Sequence, residues 1–228
     1  MKKIGFIILA IAVLMVGTSP LYLQGQSLNL KVGGFYPAME SDLWAQNLAD
    51  LAFDKQDMLG VYWGAELEME MGRYFTGSLE SGYYNQDIFS VYRDYEHEDG
   101  SPINQDFSLR ITSFEAGFKL YPLGYRNVFN PYIGGGVGAY FWKYIQGGEF
   151  IDFNDYSIYE GEAYTRTITP GFNARAGFVY RFKRTMGIQF EAKYTYLKGQ
   201  LSGLFDASFD KLDLSGVTFT MGVNFFLR

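Results

Sequence analysis

Val217-Thr218-Phe219-Thr220-Met221-Gly222-Val223-Asn224-Phe225-Phe226-Leu227-Arg228 ends the chain, closing a stretch that begins at Leu212. From Val217 the odd positions are Val, Phe, Met, Val and Phe, and the even ones up to Asn224 are Thr, Thr, Gly and Asn. Successive side chains of a strand point to opposite faces, so strict period-2 alternation specifies a strand with one apolar and one polar face.

The same pattern recurs upstream. In Met186–Leu197, Ile188, Phe190, Ala192, Tyr194 and Tyr196 oppose Gln189, Glu191, Lys193 and Thr195. In Thr167–Arg181, Phe172, Ala174, Ala176, Phe178 and Tyr180 oppose Asn173, Arg175, Gly177 and Arg181. Pro131–Lys143 sets Ile133, Val137, Ala139 and Phe141 against Gly134, Gly136 and Gly138, which leave room for bulky side chains from opposite strands. Leu59–Met71 is the clearest case, with seven apolar residues on one face and Glu66, Glu68 and Glu70 in file on the other. Phe75–Asn85 and Ser27–Tyr36 alternate likewise. In Phe107–Tyr121 the frame slips: Phe107, Leu109 and Ile111 are odd, but Phe114, Ala116, Phe118 and Leu120 are even. A β-bulge at Thr112-Ser113 is the expected cause.

These stretches predict eight antiparallel strands whose connections alternate long and short. In the first long connection Trp44, Leu48 and Leu51 fall at the spacing of a short surface helix. Connections of about twenty residues are unusual in a compact soluble domain. Outer-membrane barrels have this asymmetry, with short periplasmic turns, long extracellular loops and an even strand number.

Composition agrees. Aromatic residues at 19% and 27 glycines suit a barrel with interfacial belts and crowded walls. Without cysteine there is no thiolate site, and a net charge of -6 argues against nucleic-acid binding. Met1-Lys2-Lys3, the apolar run Ile4–Val16 and the break at Gly17-Thr18-Ser19-Pro20 read as a secretory signal peptide, too short for a spanning helix. The expected division is a leader at 1–25 and a barrel at 26–228.

Alternation alone does not separate a barrel in lipid from a soluble, lipocalin-like one. Strand length and girdles favour lipid. Phe75, Phe118, Tyr121, Tyr125, Phe129, Tyr132, Phe178, Tyr180 and Phe225 gather toward one rim, and Tyr36, Trp63, Tyr83, Phe141, Phe172, Tyr194 and Tyr196 toward the other. The polar face then lies inside, where both signs of charge can pair. Lys31, Glu66, Glu68, Glu70, Glu80, Arg110, Glu115, Lys119, Arg175, Glu191 and Lys193 are the expected interior network. Eight strands enclose an interior that side chains just fill, which favours a structural plug over a polar pathway.

The chain resembles small single-domain bacterial outer-membrane β-barrel proteins, of the OmpA-transmembrane-domain and OmpX kind. The resemblance rests on Phe118-Lys119-Leu120-Tyr121-Pro122, on Asn130-Pro131-Tyr132-Ile133-Gly134-Gly135-Gly136-Val137-Gly138, and on the closing strand. There Thr220, Gly222, Phe225 and Leu227 match the family's C-terminal assembly signal, although many members stop on Phe and this chain adds Leu227-Arg228. The resemblance implies an eight-stranded up-and-down transmembrane barrel in the outer membrane. Its implied partners are the barrel assembly machinery, outer-membrane lipid and lipopolysaccharide.

Catalytic signals are weak. His97, the single histidine, sits in Asp94-Tyr95-Glu96-His97-Glu98-Asp99, unlike the serine–histidine motifs of barrel lipid hydrolases and acyl transferases. Gly134–Gly138 precedes no helix and is not a phosphate loop. Asp42, Asp50, Asp54 and Asp57, then Asp87, Asp94, Glu96, Glu98, Asp99 and Asp106, then Glu149, Asp152, Asp155, Glu160 and Glu162 make the long connections acidic. Such oxygen ligands suit divalent cations, which could bridge lipopolysaccharide, but no EF-hand spacing is present. The expectation is a structural or surface-interaction protein acting through its loops, with no enzyme activity and no cofactor. A passive conduit for small or hydrophobic molecules is the alternative.

Overall fold

A computed structural model describes residues 26–152, 155–202, 205 and 209–227; the expected leader and Arg228 lie outside them. Eight long strands carry the alternating stretches. They are β1 (Gln26–Pro37), β2 (Gly60–Glu70), β3 (Phe75–Glu96), β4 (Pro102–Leu120), β5 (Phe129–Asp152), β6 (Ser157–Lys183), β7 (Met186–Tyr196) and β10 (Gly216–Leu227). Two short strands, β8 (Lys198–Gln200) and β9 (Lys211–Asp213), pair with each other in the last connection. Helix α1 (Asp42–Asp50) and a 3-10 turn (Lys55–Met58) occupy the first. The long strands close a ring in the order β1-β10-β7-β6-β5-β4-β3-β2. Every pairing is antiparallel, and the ring is sealed by β1 on β10, from Gln26 opposite Leu227 to Pro37 opposite Gly216.

Much of what reads as loop is strand. Strands β3, β5 and β6 run about ten residues past the expected ends at the hairpin end and β4 about five, and β5 with β6 keeps unbroken register from Phe129–Tyr180 to Asp152–Ser157. Beyond Asn85 on β3 the outward positions mix polar and apolar residues, Asp87, Phe89, Val91, Arg93 and Tyr95, so the alternation that marks a half-buried strand is broken while backbone pairing continues.

No bulge interrupts β4 at Thr112-Ser113: its pairing with β3 is continuous from Val91–Asn104 to Phe75–Leu120, and with β5 from Gln105–Gly148 to Leu120–Ile133. The apolar residues change face instead. Phe107, Leu109 and Ile111 point into the barrel and are buried, while Phe114 and Phe118 point out. The interior of the hairpin end is therefore apolar. Phe35, Tyr62, Tyr84, Phe107, Leu109, Ile111, Tyr140, Trp142 and Tyr144 pack there against Met39, Leu43, Trp44, Leu51, Phe53 and Met58 of the first connection, and Leu197, Leu212 and Leu214 of the last.

Trp44 is fully buried, so α1 is not a surface helix; it caps the mouth. Its indole N–H donates to the Asp213 carbonyl at 2.8 Å, and Asn47 Nδ2 donates to the Tyr144 hydroxyl at 2.9 Å. Opposite, at the short-turn end, Tyr121, Tyr125, Tyr132 and Val179 form a second buried cluster with Phe226 against it. Those three tyrosines thus floor the barrel rather than join an outer rim. Three layers fill the cylinder: aromatic floor, charged middle, apolar top.

Candidate functional site

Parity along each strand dictates which charges enter the middle layer. Lys31 on β1, Glu66 and Glu68 on β2, Glu80 on β3, Glu115 and Lys119 on β4, Arg175 on β6, and Glu191 and Lys193 on β7 all point inward and are buried. Desolvating an ion costs several kcal/mol, which is offset only when each ion has close partners and its other polar atoms are satisfied. Here they are close. Lys31 Nζ lies 2.9 Å from both Glu80 Oε2 and Glu191 Oε1, and 3.2 Å from Glu66 Oε2. Arg175 spans three carboxylates: Glu80 at 2.7 Å, Glu115 at 3.1 Å and Glu66 at 3.2 Å. Lys193 joins Glu80 at 2.8 Å to Glu115 at 2.9 Å. Lys119 lies 2.9 Å from Glu66 and 3.6 Å from Glu68.

Neutral groups extend the shell, which leaves Glu68 Oε2 with only Lys119 at 3.6 Å, and the sequence reading missed them. Tyr62 donates to Glu80 at 2.8 Å, Tyr132 to Glu191 at 2.9 Å and Asn173 to Glu115 at 2.7 Å. Glu68 Oε1 accepts from Thr76 at 2.6 Å and Tyr121 at 2.5 Å. All sit at the inward parity of their strands, the one signal that points to them. Tyr132 of β5 reaches Glu191 of β7 across Gly177 of β6, which is the register partner of both. A Cβ at Gly177 would collide with the Phe190 carbonyl oxygen of β7 and stand 2.7 Å from the Tyr132 hydroxyl, so only glycine fits the strand and leaves the crossing open. At Gly134 and Gly138 the crowding comes from neighbouring β4, through Lys119 and Glu115, rather than from opposite strands.

Two residues expected in the network lie elsewhere. Arg110 has outward parity on β4 and donates from Nε to Asn85 Oδ1 at 2.7 Å on the outer wall. An inward Arg110 would require the bulge that β4 lacks. Glu70 stands at the short-turn rim, with Arg126 Nη2 at 3.0 Å, an exposed pair of the kind worth about 0–1 kcal/mol. Of the assembly-signal residues, Thr220 and Gly222 share the inward parity of Asn224, while Phe225 and Leu227 face outward.

Between the charged and apolar layers is a cavity of about 30 Å³, bordered by Tyr62, Ser113, Glu115, Tyr140, Lys193 and Leu214. That is room for about one water, not for a solute path. At the hairpin end His97 Nε2 lies 3.1 Å from Glu149 Oε1, joining the β3–β4 hairpin to β5. The Asn104 N–H donates to Glu149 Oε2 at 2.9 Å. This bond, followed by the His97 contact, holds the Glu149 carboxyl below the usual carboxylate range. Among the described residues no three His, Asp or Glu side chains converge to hold a metal.

The outer wall is the reverse of the middle layer. Trp63, Phe118, Ile133, Val137, Phe172 and Phe219 are each more than half exposed. Removing a large apolar side chain from water is worth about 1.5–3 kcal/mol, so a dozen left wet would forgo roughly 20 kcal/mol, more than the usual 5–15 kcal/mol of net stability. Hydrocarbon must cover this belt. On β5 it runs from Phe129 to Phe141, about 40 Å along the strand and on the order of 30 Å along a barrel axis tilted at roughly 40°. Among the described residues no helix is long and apolar enough to cross a membrane.

No protein-family model matches the chain, and no curated protein matches it. Solved structures do. The outer membrane protein OprG of Pseudomonas aeruginosa superposes with a TM-score of 0.55 at 13% identity, over 90% of this chain and 96% of that one. A major outer membrane protein of Thermus thermophilus gives 0.52 at 11% identity, over 89% and 99%. At these identities the likeness is one of fold. Joined to an apolar belt suited to hydrocarbon, it gives this chain the eight-stranded fold of outer-membrane β-barrels.

Proposed function

We propose that the protein is a membrane-anchored display scaffold, with a structural or surface-interaction role carried by the hairpins that stand beyond the bilayer. The observation that carries this reading is the filled bore. Aromatic floor, ionic middle and apolar top fill the interior among the described residues, and the cavity between the ionic and apolar layers is about 30 Å³. The hairpins are built for contact. Strands β5 and β6 continue roughly 30 Å along the strand direction past Lys143, at about 3.3 Å per residue. They expose Tyr156, Ile158, Tyr159 and Tyr164 beside Glu160 and Glu162, an aromatic and acidic surface suited to a basic partner. His97 has a structural part in this reading, tying two hairpins together through Glu149.

Outer-membrane lipid is the proposed partner of the belt, and lipopolysaccharide of its outer edge. The assembly machinery is the proposed partner of the closing strand, whose Phe225 and Leu227 face outward. Divalent cations at the acidic hairpins belong to the proposal through ligand chemistry alone. Planar-bilayer recording of the purified protein tests the reading against the passive-conduit alternative. We expect silence, and stepwise conductance would overturn it.

A further inference from the structure

The outward rows at the hairpin end of the belt are in register across four strands. Tyr83, Thr112, Phe141 and Ile168 form the last row of the belt. The next outward row, two residues along each strand, is Asn85, Arg110, Lys143 and Arg166. Three cations thus stand side by side on β4, β5 and β6, one step beyond Phe141 and Ile168. With strands about 4.8 Å apart the row is roughly 10 Å wide.

Like charges placed directly opposite one another destabilise a sheet. Among the described residues none of the three has a carboxylate within 4.0 Å. Arg110 donates to Asn85, and Lys143 Nζ lies 5.6 Å from the centre of the Tyr164 ring. The charge is also one-sided: the outward residues at the matching ends of β1, β2 and β10 are Tyr36, Val61 and Val217, whereas beyond β7 the exposed Lys198, over the Tyr196 ring, adds a cation on the same side as the row. A uniform interfacial girdle would not be gathered on one side of the barrel.

We infer that Arg110, Lys143 and Arg166 form a docking site for a phosphate-bearing lipid of the outer leaflet, its headgroup phosphates on the cations and its acyl chains along Phe114, Phe141 and Ile168. Charge complementarity and position both identify the occupant. Phosphates lie at the level where hydrocarbon ends, and guanidinium forks match their oxygens two at a time. The aliphatic stems can lie along the apolar wall while the charged heads reach outward. A diphosphorylated, multiply acylated glycolipid offers both parts at once. This inference deepens the outer-edge contact proposed above and rests on that reading.

The test uses the full-length protein, purified in detergent, with diphosphorylated lipid A as the probe. Wild type is compared with a triple variant, Arg110→Gln, Lys143→Gln and Arg166→Gln, whose side chains lie on the outer wall. Native mass spectrometry reads retained lipid, and heat-modified gel mobility after transfer to liposomes reads folding. We expect the triple variant to hold lipid A at least ten-fold more weakly and to fold normally. Dephosphorylated lipid A should bind both proteins alike, at the weaker level. Equal retention of lipid A by the two proteins, or retention indifferent to its phosphates, overturns the docking site. Displacement of the lipid by millimolar pyrophosphate would show a site for free phosphate and overturn the lipid assignment. If wild type does not insert into liposomes, the membrane reading itself has failed, an outcome distinct from the others.

Discussion

Arg175 and Glu80, facing residues of the barrel interior on β6 and β3, are held together by an Nη1–Oε2 distance of 2.7 Å with both side chains almost wholly buried. Arg175 also touches Glu66 and Glu115 and lies 3.9 Å from Glu191, so it reaches four carboxylates where Lys31 reaches three. Arg175→Ala would leave these carboxylates short of a partner, and removing one member of a buried pair costs about 3–5 kcal/mol. Urea unfolding in liposomes measures this. A stability equal to wild type would refute the network.

Gly177 is the gap through which Tyr132 reaches Glu191. Gly177→Val would force the tyrosine aside, with an overpacking cost of about 1–3 kcal/mol and loss of a charge-assisted hydrogen bond. Tyr132→Phe in the Gly177→Val background should add little further loss. Fully additive losses in the same unfolding titration would mean that the two residues act separately.

Trp44 anchors α1 in the mouth. Trp44→Ala should destabilise the cap by about 3–5 kcal/mol, the usual range for emptying a buried aromatic site. Residues 39–58 should then become sensitive to protease added from the hairpin side, while bilayer recordings stay silent because the ionic layer beneath is intact. Conductance in this variant would show that the cap is the only seal.

Glu149 gives a pH dependence whose sign is fixed. Its folded carboxyl is held below the usual range, first by the Asn104 N–H and then by His97. The contact therefore stabilises the folded hairpins above the free carboxyl value of about 4.3 and is lost as pH falls through the lowered folded value. Hydrogen exchange at the Asn104 amide, corrected for its intrinsic pH dependence, should show protection falling across that window. Glu149→Gln should weaken protection at neutral pH and abolish the transition. Protection that does not change with acid in wild type would rule out the coupling.

How far the fold is legible in the sequence depends on what surrounds each strand. Strands β1, β2, β7 and β10 hardly leave the belt, so a single parity holds along them and places Lys31, Glu66, Glu191 and Lys193 correctly. Strand β4 crosses from hydrocarbon into water. There Phe107, Leu109 and Ile111 turn inward while Phe114 and Phe118 stay out. A change of solvent and a one-residue bulge leave the same trace in a sequence, and only backbone pairing distinguishes them. The same ambiguity misplaces Arg110. The far halves of β3 to β6 are hard to read in the sequence because charges interrupt their outward rows, as Asp87 and Arg93 do beside Phe89 on β3 and Glu160 and Glu162 do between Ile158 and Tyr164 on β6, so no strict alternation survives. Tyr121, Tyr125 and Tyr132 resemble girdle residues because a tyrosine near a strand end suits a floor as well as a rim.

The reversal of faces along β4 to β6 gives the molecule a waterline. Sinking the hairpin end into the bilayer would draw Arg110, Lys143 and Arg166 into the oily slab, at a penalty that climbs from about 0–1 kcal/mol for each near the edge to roughly 2–4 kcal/mol at mid-depth. Raising it would wet Phe141 and Ile168 without any compensating burial. The barrel can therefore float at only one height, and how far its hairpins stand clear of the bilayer is set by where a few side chains change sides.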